Sequence, residues 1–223
     1  MALITASNVS KVYQSGSEGE VRALDAVNLT IDEGEFVAIT GPSGSGKSTL
    51  LSVLGVLSPP SSGEVTIDGI DVFGLSQERQ ADFRAEYIGF VFQQFQLLPF
   101  LTAAENVMLP LAITRRTRGE QREMAEAVLE KVGLEHKGNR LPNQLSGGEQ
   151  ERVAIARAVV NQPPIVFADE PTGNLDSGTG EEIMALFKAL NREGLAVVMV
   201  THNKESLSHV DRILSIKDGR ILG

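Results

Sequence analysis

The run Gly41-Pro-Ser-Gly-Ser-Gly-Lys-Ser48 fits the pattern G-x-x-x-x-G-K-[ST]. Residues of these types at this spacing can cradle a phosphate chain. Gly41, Gly44 and Gly46 let backbone N–H groups curl around phosphate oxygens where a Cβ would clash. Pro42, Ser43 and Ser45 complete the loop, and a helix opening at Lys47, Ser48 and Thr49 would aim its positive end at the anion. Lys47 can reach the β- and γ-phosphates of a nucleotide, and Ser48 can offer its hydroxyl to Mg²⁺. The competing explanation is a glycine-rich turn that matches by chance. A buried strand before the loop and a helix after it, both expected here, argue against that.

Two further constellations could act with such a loop. Ile165-Val-Phe-Ala-Asp-Glu170 reads as an apolar strand ending in two carboxylates. Alone, this is a solvated strand end. Beside a phosphate loop, Asp169 suits Mg²⁺ and its water ligands, and Glu170 suits the polarising of an attacking water. In Leu145-Ser-Gly-Gly-Glu-Gln150, Ser146 and Glu149 form a capping box at a helix start. A capping box does not need Gly147 and Gly148, which weaken a first helical turn. They make sense where backbone approaches a ligand closely, so this helix end reads as an anion site.

The elements that must position these residues follow from periodicity and punctuation. Leu3–Val9, Leu24–Ile31 and Phe36–Thr40 read as strands, the last a continuous apolar run suited to burial on both faces. These three early strands are expected to form a separate antiparallel layer. Ser15–Glu20 reads as a polar glycine-rich loop. Leu50, Leu51, Leu54 and Leu57 recur at helical spacing, and Pro59-Pro60 stops that helix. Glu64–Ile67 reads as a strand before an Asp68-Gly69 turn, Ser76–Glu86 as a helix and Ile88–Phe92 as a buried strand. Thr102-Ala-Ala-Glu105 is a capping box, and Arg118–Val132 is amphipathic. The second half alternates: helix Ser146–Asn161, strand Ile165–Ala168, helix Ser177–Arg192, strand Ala196–Val200 and a short helix Asn203–Ser208. A hairpin, Arg212–Ile216 with Arg220–Leu222, turns at Asp218-Gly219. This is the pattern of an α/β domain with a mainly parallel central sheet. Residues 1–223 read as one domain, with a mostly helical insertion over about residues 76–139.

Composition excludes several classes. The chain has 223 residues and 42% hydrophobic residues, ordinary values for a folded domain. It has no cysteine, so disulfides, thiolate metal sites and a Cys nucleophile are excluded. A net charge of −9 gives no global attraction to nucleic acid. No window reaches the ~18 apolar residues of a membrane span, and the N-terminus lacks the basic and apolar regions of a signal peptide. The expected location is the cytosol, with any membrane contact made through a partner.

Phosphate loop, Leu-Ser-Gly-Gly-Glu-Gln and Asp-Glu, in this order and at these spacings, resemble the nucleotide-binding subunit of an ATP-binding cassette (ABC) transporter. The resemblance covers essentially the whole chain and implies a P-loop NTPase fold of the ABC cassette type, with an antiparallel β layer and a helical subdomain. It implies ATP and Mg²⁺ as cofactors. Tyr13 matches the aromatic residue that stacks on adenine. Gln93 matches the glutamine that contacts Mg²⁺ and water and senses the membrane subunit; Gln94 is adjacent, and the choice rests on the family's register. Asp176, in Asn174-Leu-Asp176, matches a loop that crosses to the opposite subunit, and Gly173-Asn174 stands where many members carry Ser-Ala. His202 matches the switch histidine near the γ-phosphate. His136 and His209 match nothing and read as solvated.

The resemblance implies an ATPase working as a head-to-tail homodimer. Lys47, Ser48, Gln93, Asp169, Glu170 and His202 of one chain would face Ser146, Gly147, Gly148, Glu149 and Gln150 of the other across ATP. The stretches Gly89–Pro99, Leu101–Asn106 and Pro171–Asp176 resemble the lipoprotein-release, macrolide-export and cell-division group. That implies an integral membrane partner and a peripheral place at the inner face of the cell membrane. Phe95, Leu97, Leu98, Pro99, Phe100 and Leu101 either pack under the helical insertion or line a groove for a helix of that partner. The alternative is a soluble cassette ATPase acting on DNA or ribosomes. One phosphate loop, no heptad run and the −9 charge stand against it.

Overall fold

The computed structural model describes residues 1–15 and 19–222, so residues 16–18 of the expected Ser15–Glu20 loop lie outside the described residues. The strands are β1 (Ala2–Ser15), β2 (Gly19–Asp32), β3 (Phe36–Thr40), β4 (Ser62–Ile67), β5 (Ile70–Asp71), β6 (Ile88–Val91), β7 (Ile165–Asp169), β8 (Ala196–Val200), β9 (Arg212–Lys217) and β10 (Arg220–Leu222). The helices are α1 (Lys47–Leu54), α2 (Gln77–Tyr87), α3 (Ala103–Met108), α4 (Arg118–Lys131), α5 (Gly147–Val159) and α6 (Ser177–Arg192). Short 3-10 turns cover Leu109–Ile113, Pro142–Gln144 and Glu205–His209.

Two sheets form. One is antiparallel, in the order β2-β1-β4-β5; the other has the order β10-β9-β3-β8-β7-β6, with only β10 antiparallel to its neighbour. The expected layer of three early strands is therefore corrected. β3 leaves β1 and β2 and sits inside the parallel sheet, while β4 and β5 complete the antiparallel one. Phe36, Val37, Ala38 and Ile39 are all fully buried, so β3 needs cover on both faces.

The alternation of strand side chains divides the core in two. Val37, Ile39, Phe167, Val198 and Val200 face α1 and the antiparallel sheet. Phe36, Ala38, Val166, Ala168, Val197 and Met199 face the side covered by α3 to α6. α2 packs Phe83 into the first of these cores, and α3 and α4 pack into the second. Capping fixes the helix starts. Thr102 and Thr117 form capping boxes with Glu105 and Glu120, and Ser146 forms one with Glu149. The first helix ends at Leu54, short of Leu57, which is exposed.

Candidate functional site

The registers bring the chemistry to one edge. Ile39 pairs with Val200, Val200 with Asp169, and Ala168 with Val91. Four parallel strands thus end at one level, and Gly41, His202, Glu170 and Gln93 all leave the sheet there. Ligands of open parallel sheets bind outside this carboxyl edge. β8 lies between β3 and β7, so the two carboxylates are one strand removed from the strand that feeds the phosphate loop.

The phosphate loop is clamped by backbone. A Cβ on Gly41 would lie 2.1 Å from the Ile216 carbonyl oxygen, and one on Gly46 would lie 2.3 Å from that of Ala23. Gly46 caps α1 with φ 105°, a left-handed conformation that favours glycine. Lys47 Nζ donates to the carbonyls of Gly41 and Pro42 at 2.9 Å each. Ser45 is buried; Pro42, Ser43, Gly44 and Ser48 are exposed, and Thr49 is half-buried.

Sequence reasoning missed the brace behind this loop. Gly219 N donates to Ser45 O at 3.0 Å, and Asp25 N donates to Gly219 O at 2.9 Å. The Asp25 carboxylate accepts from Arg220 Nε at 2.8 Å and Arg22 Nη1 at 2.9 Å, which holds it below the usual carboxylate range. The only signal for this was Asp218-Gly219, which reads locally as a hairpin turn and nothing more.

Glu170 is the junction of the edge. Its Oε2 accepts from Gln93 Nε2 at 3.1 Å, and its Oε1 lies 3.0 Å from His202 Nδ1. Its N–H donates to Val200 O at 2.9 Å, and it holds a left-handed φ of 50°. Gln93 O accepts from Asn174 Nδ2 at 2.7 Å. Burial, then the charge of Glu170, push the Asp169 carboxyl up, while the Ser48 hydroxyl and Lys47 pull it back. The structure thus brings Lys47, Ser48, Asp169, Glu170, Gln93 and His202 together.

Other candidates read from the sequence stand apart from that cluster. Tyr13 lies on β1 opposite Val21, with an exposed ring 5.2 Å from Lys11 Nζ. Among the described residues, no polar contact of Ser146, Gly147, Gly148, Glu149 or Gln150 reaches the phosphate loop. Ser146 and Gly147 are exposed at the N-terminus of α5. The side chain of Glu149 is spent on Ser146 N and Lys137, and that of Gln150 on Leu145 O. Gly148 has a packing reason within its own chain: a Cβ there would lie 2.4 Å from Thr179 Cγ2. Asp176 caps α6, accepting from Thr179 N at 3.0 Å and Thr179 Oγ1 at 2.6 Å. His136 is exposed, but the reading of His209 as solvated is corrected. Its side chain is 17% exposed and its Nε2 lies 2.9 Å from Glu181, because the 205–209 turn packs on α6.

A phosphate loop between strand and helix, with a carboxylate pair at the same sheet edge, defines a P-loop nucleotide-binding protein. A family profile described as ABC transporter matches residues 24–173. An ABC transporter ATP-binding protein of Methanocaldococcus jannaschii is 49% identical over 220 residues, covering 99% of this chain and 98% of that protein. A macrolide export ATP-binding/permease protein of Rhodospirillum rubrum is 46% identical over 220 residues, covering 99% of this chain but 34% of that protein. A solved dimeric ATP-binding cassette in a post-hydrolysis state, bound to ADP and Pi, superposes with a TM-score of 0.90 at 49% identity, covering 99% of this chain and 97% of that one. The chain belongs to the ABC transporter family, as an ATP-binding subunit that hydrolyses ATP.

Proposed function

We propose that two copies of this chain close head to tail around two ATP molecules and drive an integral membrane partner. The observation that carries this is the division of the site. Lys47, Ser48, Asp169, Glu170, Gln93 and His202 converge at one edge, whereas Ser146, Gly147 and Gly148 stand at the start of α5, with no polar contact to the phosphate loop among the described residues. A second copy completes both halves. The post-hydrolysis relative, dimeric with ADP and Pi bound, supports a dimeric working unit.

The roles follow from chemistry. The phosphate loop and Lys47 bind the triphosphate, and Tyr13 stacks on adenine. Glu170 orients and polarises the attacking water, steadied by Gln93 and His202. Asp169, Ser48 and Gln93 offer oxygen donors suited to Mg²⁺. Among the described residues no group of three His, Asp or Glu side chains forms a metal cage. An ion that keeps its waters and takes one carboxylate plus substrate phosphates does not require one. When bound, that ion neutralises charge on the β- and γ-phosphates. The upward push on Asp169 is what a nearby cation would offset. Phosphate bridging favours the closed dimer, and hydrolysis removes the bridge.

Membrane attachment is assigned to the face beside Gln93. Phe100 is 72% exposed and Leu98 37%, while Phe95, Leu97 and Leu101 are half-buried. A groove of about 290 Å³ runs past Phe90, Phe92, Gln96, Pro110, Arg157 and Asn161. A short helix of a membrane subunit seated here would reach the turn that carries Gln93. No helix among the described residues is long and apolar enough to cross a membrane. The contact proposed here would hold the chain at the inner face of the membrane. The macrolide-export relative is named as an ATP-binding/permease protein and is about three times as long as the matched region, which supports export through a permease as the work done. The test is light scattering and ATPase assay of the purified chain with ATP and Mg²⁺. ATP-dependent dimers with turnover that rises more than linearly with protein concentration are expected; turnover by an unchanging monomer overturns the proposal.

A further inference from the structure

Glu151 lies on α5 between the exposed Ser146 end and Arg157. It is fully buried, and neither of its carboxylate oxygens has a hydrogen-bond partner. Burying an unpaired charge is costly, so such a group calls for an explanation. Among the described residues, the charged group that acts on it is Arg157, six residues further along the same helix. Three charged groups on the helices packed against α5 are engaged with other partners. Glu105 of α3 is bonded to Thr102, Arg122 of α4 to Glu126, and Glu182 of α6 to Arg152. β6 and residues 109–113 carry no charge.

Arg157 is already at work. Its Nη1 donates to Gln96 O at 2.6 Å and its Nη2 to Phe95 O at 2.8 Å. Phe95 and Gln96 both hold left-handed φ, 59° and 51°. Residues with side chains keep that conformation only where their surroundings impose it. The arginine fork holds the carbonyls of both residues, beside the turn's own bond from Phe95 N to Phe92 O, and the same turn carries Gln93 to Glu170.

We propose that Glu151 is a positioning residue for ATP hydrolysis: uncharged, it leaves Arg157 to grip the turn behind Gln93; ionised, it draws the guanidinium away and loosens Gln93 from Glu170. This rests on the roles given above to Gln93 and Glu170. Burial pushes the Glu151 carboxyl up to about 8, against the pull of Arg157, which sets the change just above neutral pH.

The experiment compares the full chain with Glu151→Gln, which is neutral at every pH, and with Glu151→Met as a second neutral side chain of similar size. ATPase kcat and KM are measured over about pH 6.5 to 9.5, with amide hydrogen exchange of residues 94–98 at each pH. Near pH 7 the proteins should agree within about 2-fold in kcat. Above about pH 8 the unsubstituted chain alone should lose about tenfold in kcat, at unchanged KM, while its turn exchanges faster. Parallel exchange at every pH in the unsubstituted chain and a folded neutral variant overturns the clamp. A turn that loosens while kcat stays level overturns the role of Gln93 in hydrolysis, and that of Glu151 with it.

Discussion

His202 Nδ1 and Glu170 Oε1 stand 3.0 Å apart across the ends of β8 and β7. Glu170 is held from its other oxygen by Gln93, and its own N–H is tied to Val200 O. A carboxylate held at both oxygens, on a backbone that is itself anchored, is oriented before any substrate arrives, which is the condition for activating a water in one direction.

Glu170→Gln keeps this shape and removes the charge. Hydrolysis should fall by at least ~100-fold while ATP binding persists. Closure without hydrolysis cannot reset, so ATP-dependent dimers should accumulate on size exclusion. A variant that remains monomeric at saturating ATP and Mg²⁺ would count against the head-to-tail dimer.

Lys47→Ala should weaken ATP binding and abolish turnover without unfolding the chain. Among the described residues, the hydrogen bonds of the Lys47 side chain go to the Gly41 and Pro42 carbonyls at the loop mouth, and no apolar core depends on it. Nucleotide titration and a thermal melt without nucleotide separate the two effects. Near-normal turnover would contradict the assignment.

Gly148→Ala tests whether packing or helix propensity rules the start of α5. Alanine is the better helix former, but its Cβ would meet Thr179 Cγ2 at 2.4 Å. Overpacking should win and cost about 1–3 kcal/mol in urea unfolding. Thr179→Ser removes the methyl group and keeps the hydroxyl that Asp176 accepts, so the double variant should recover most of the loss. A single variant more stable than the parent would refute the packing account.

Leu98→Asp and Phe100→Asp should break co-purification with the membrane subunit while basal ATPase of the isolated chain stays within about 3-fold. Both side chains are exposed, so a charge is tolerated in the free chain. Normal association by both variants would remove this face from the interface.

Stability should carry the imprint of Glu151. Its folded value of about 8 is raised from the ordinary 4.5, so between these limits the folded chain binds the extra proton. That contribution is fully present below about pH 4.5 and is lost as pH rises to about 8. Relative to Glu151→Gln, unfolding free energy should therefore fall with rising pH across that window, by up to about 1.4 kcal/mol per pH unit. Parallel stability curves would show the carboxyl to be ionised and satisfied in the native chain.

Several elements were legible in the sequence because the interactions that make them are local. The phosphate loop is a backbone shape written by glycines within eight residues. The capping boxes at Thr102 and Ser146 join residues three apart, and period-2 or continuous apolar runs mark β3, β6, β7 and β8. α6 and β8 begin and end where their punctuation places them. Tertiary structure decided what depends on sheet order and on faces meeting. Gln93 and Glu170 are 77 residues apart in the chain and touch because β6 and β7 are neighbours. His202 joins them because β8 enters between β3 and β7. The departure of β3 from the first sheet, the brace of Gly219 on the phosphate loop, the fit of Gly148 against Thr179 and the burial of Glu151 have no local signature. Each is set by which surfaces the packed sheet and helices bring together, and a periodic pattern names a buried face without naming what buries it.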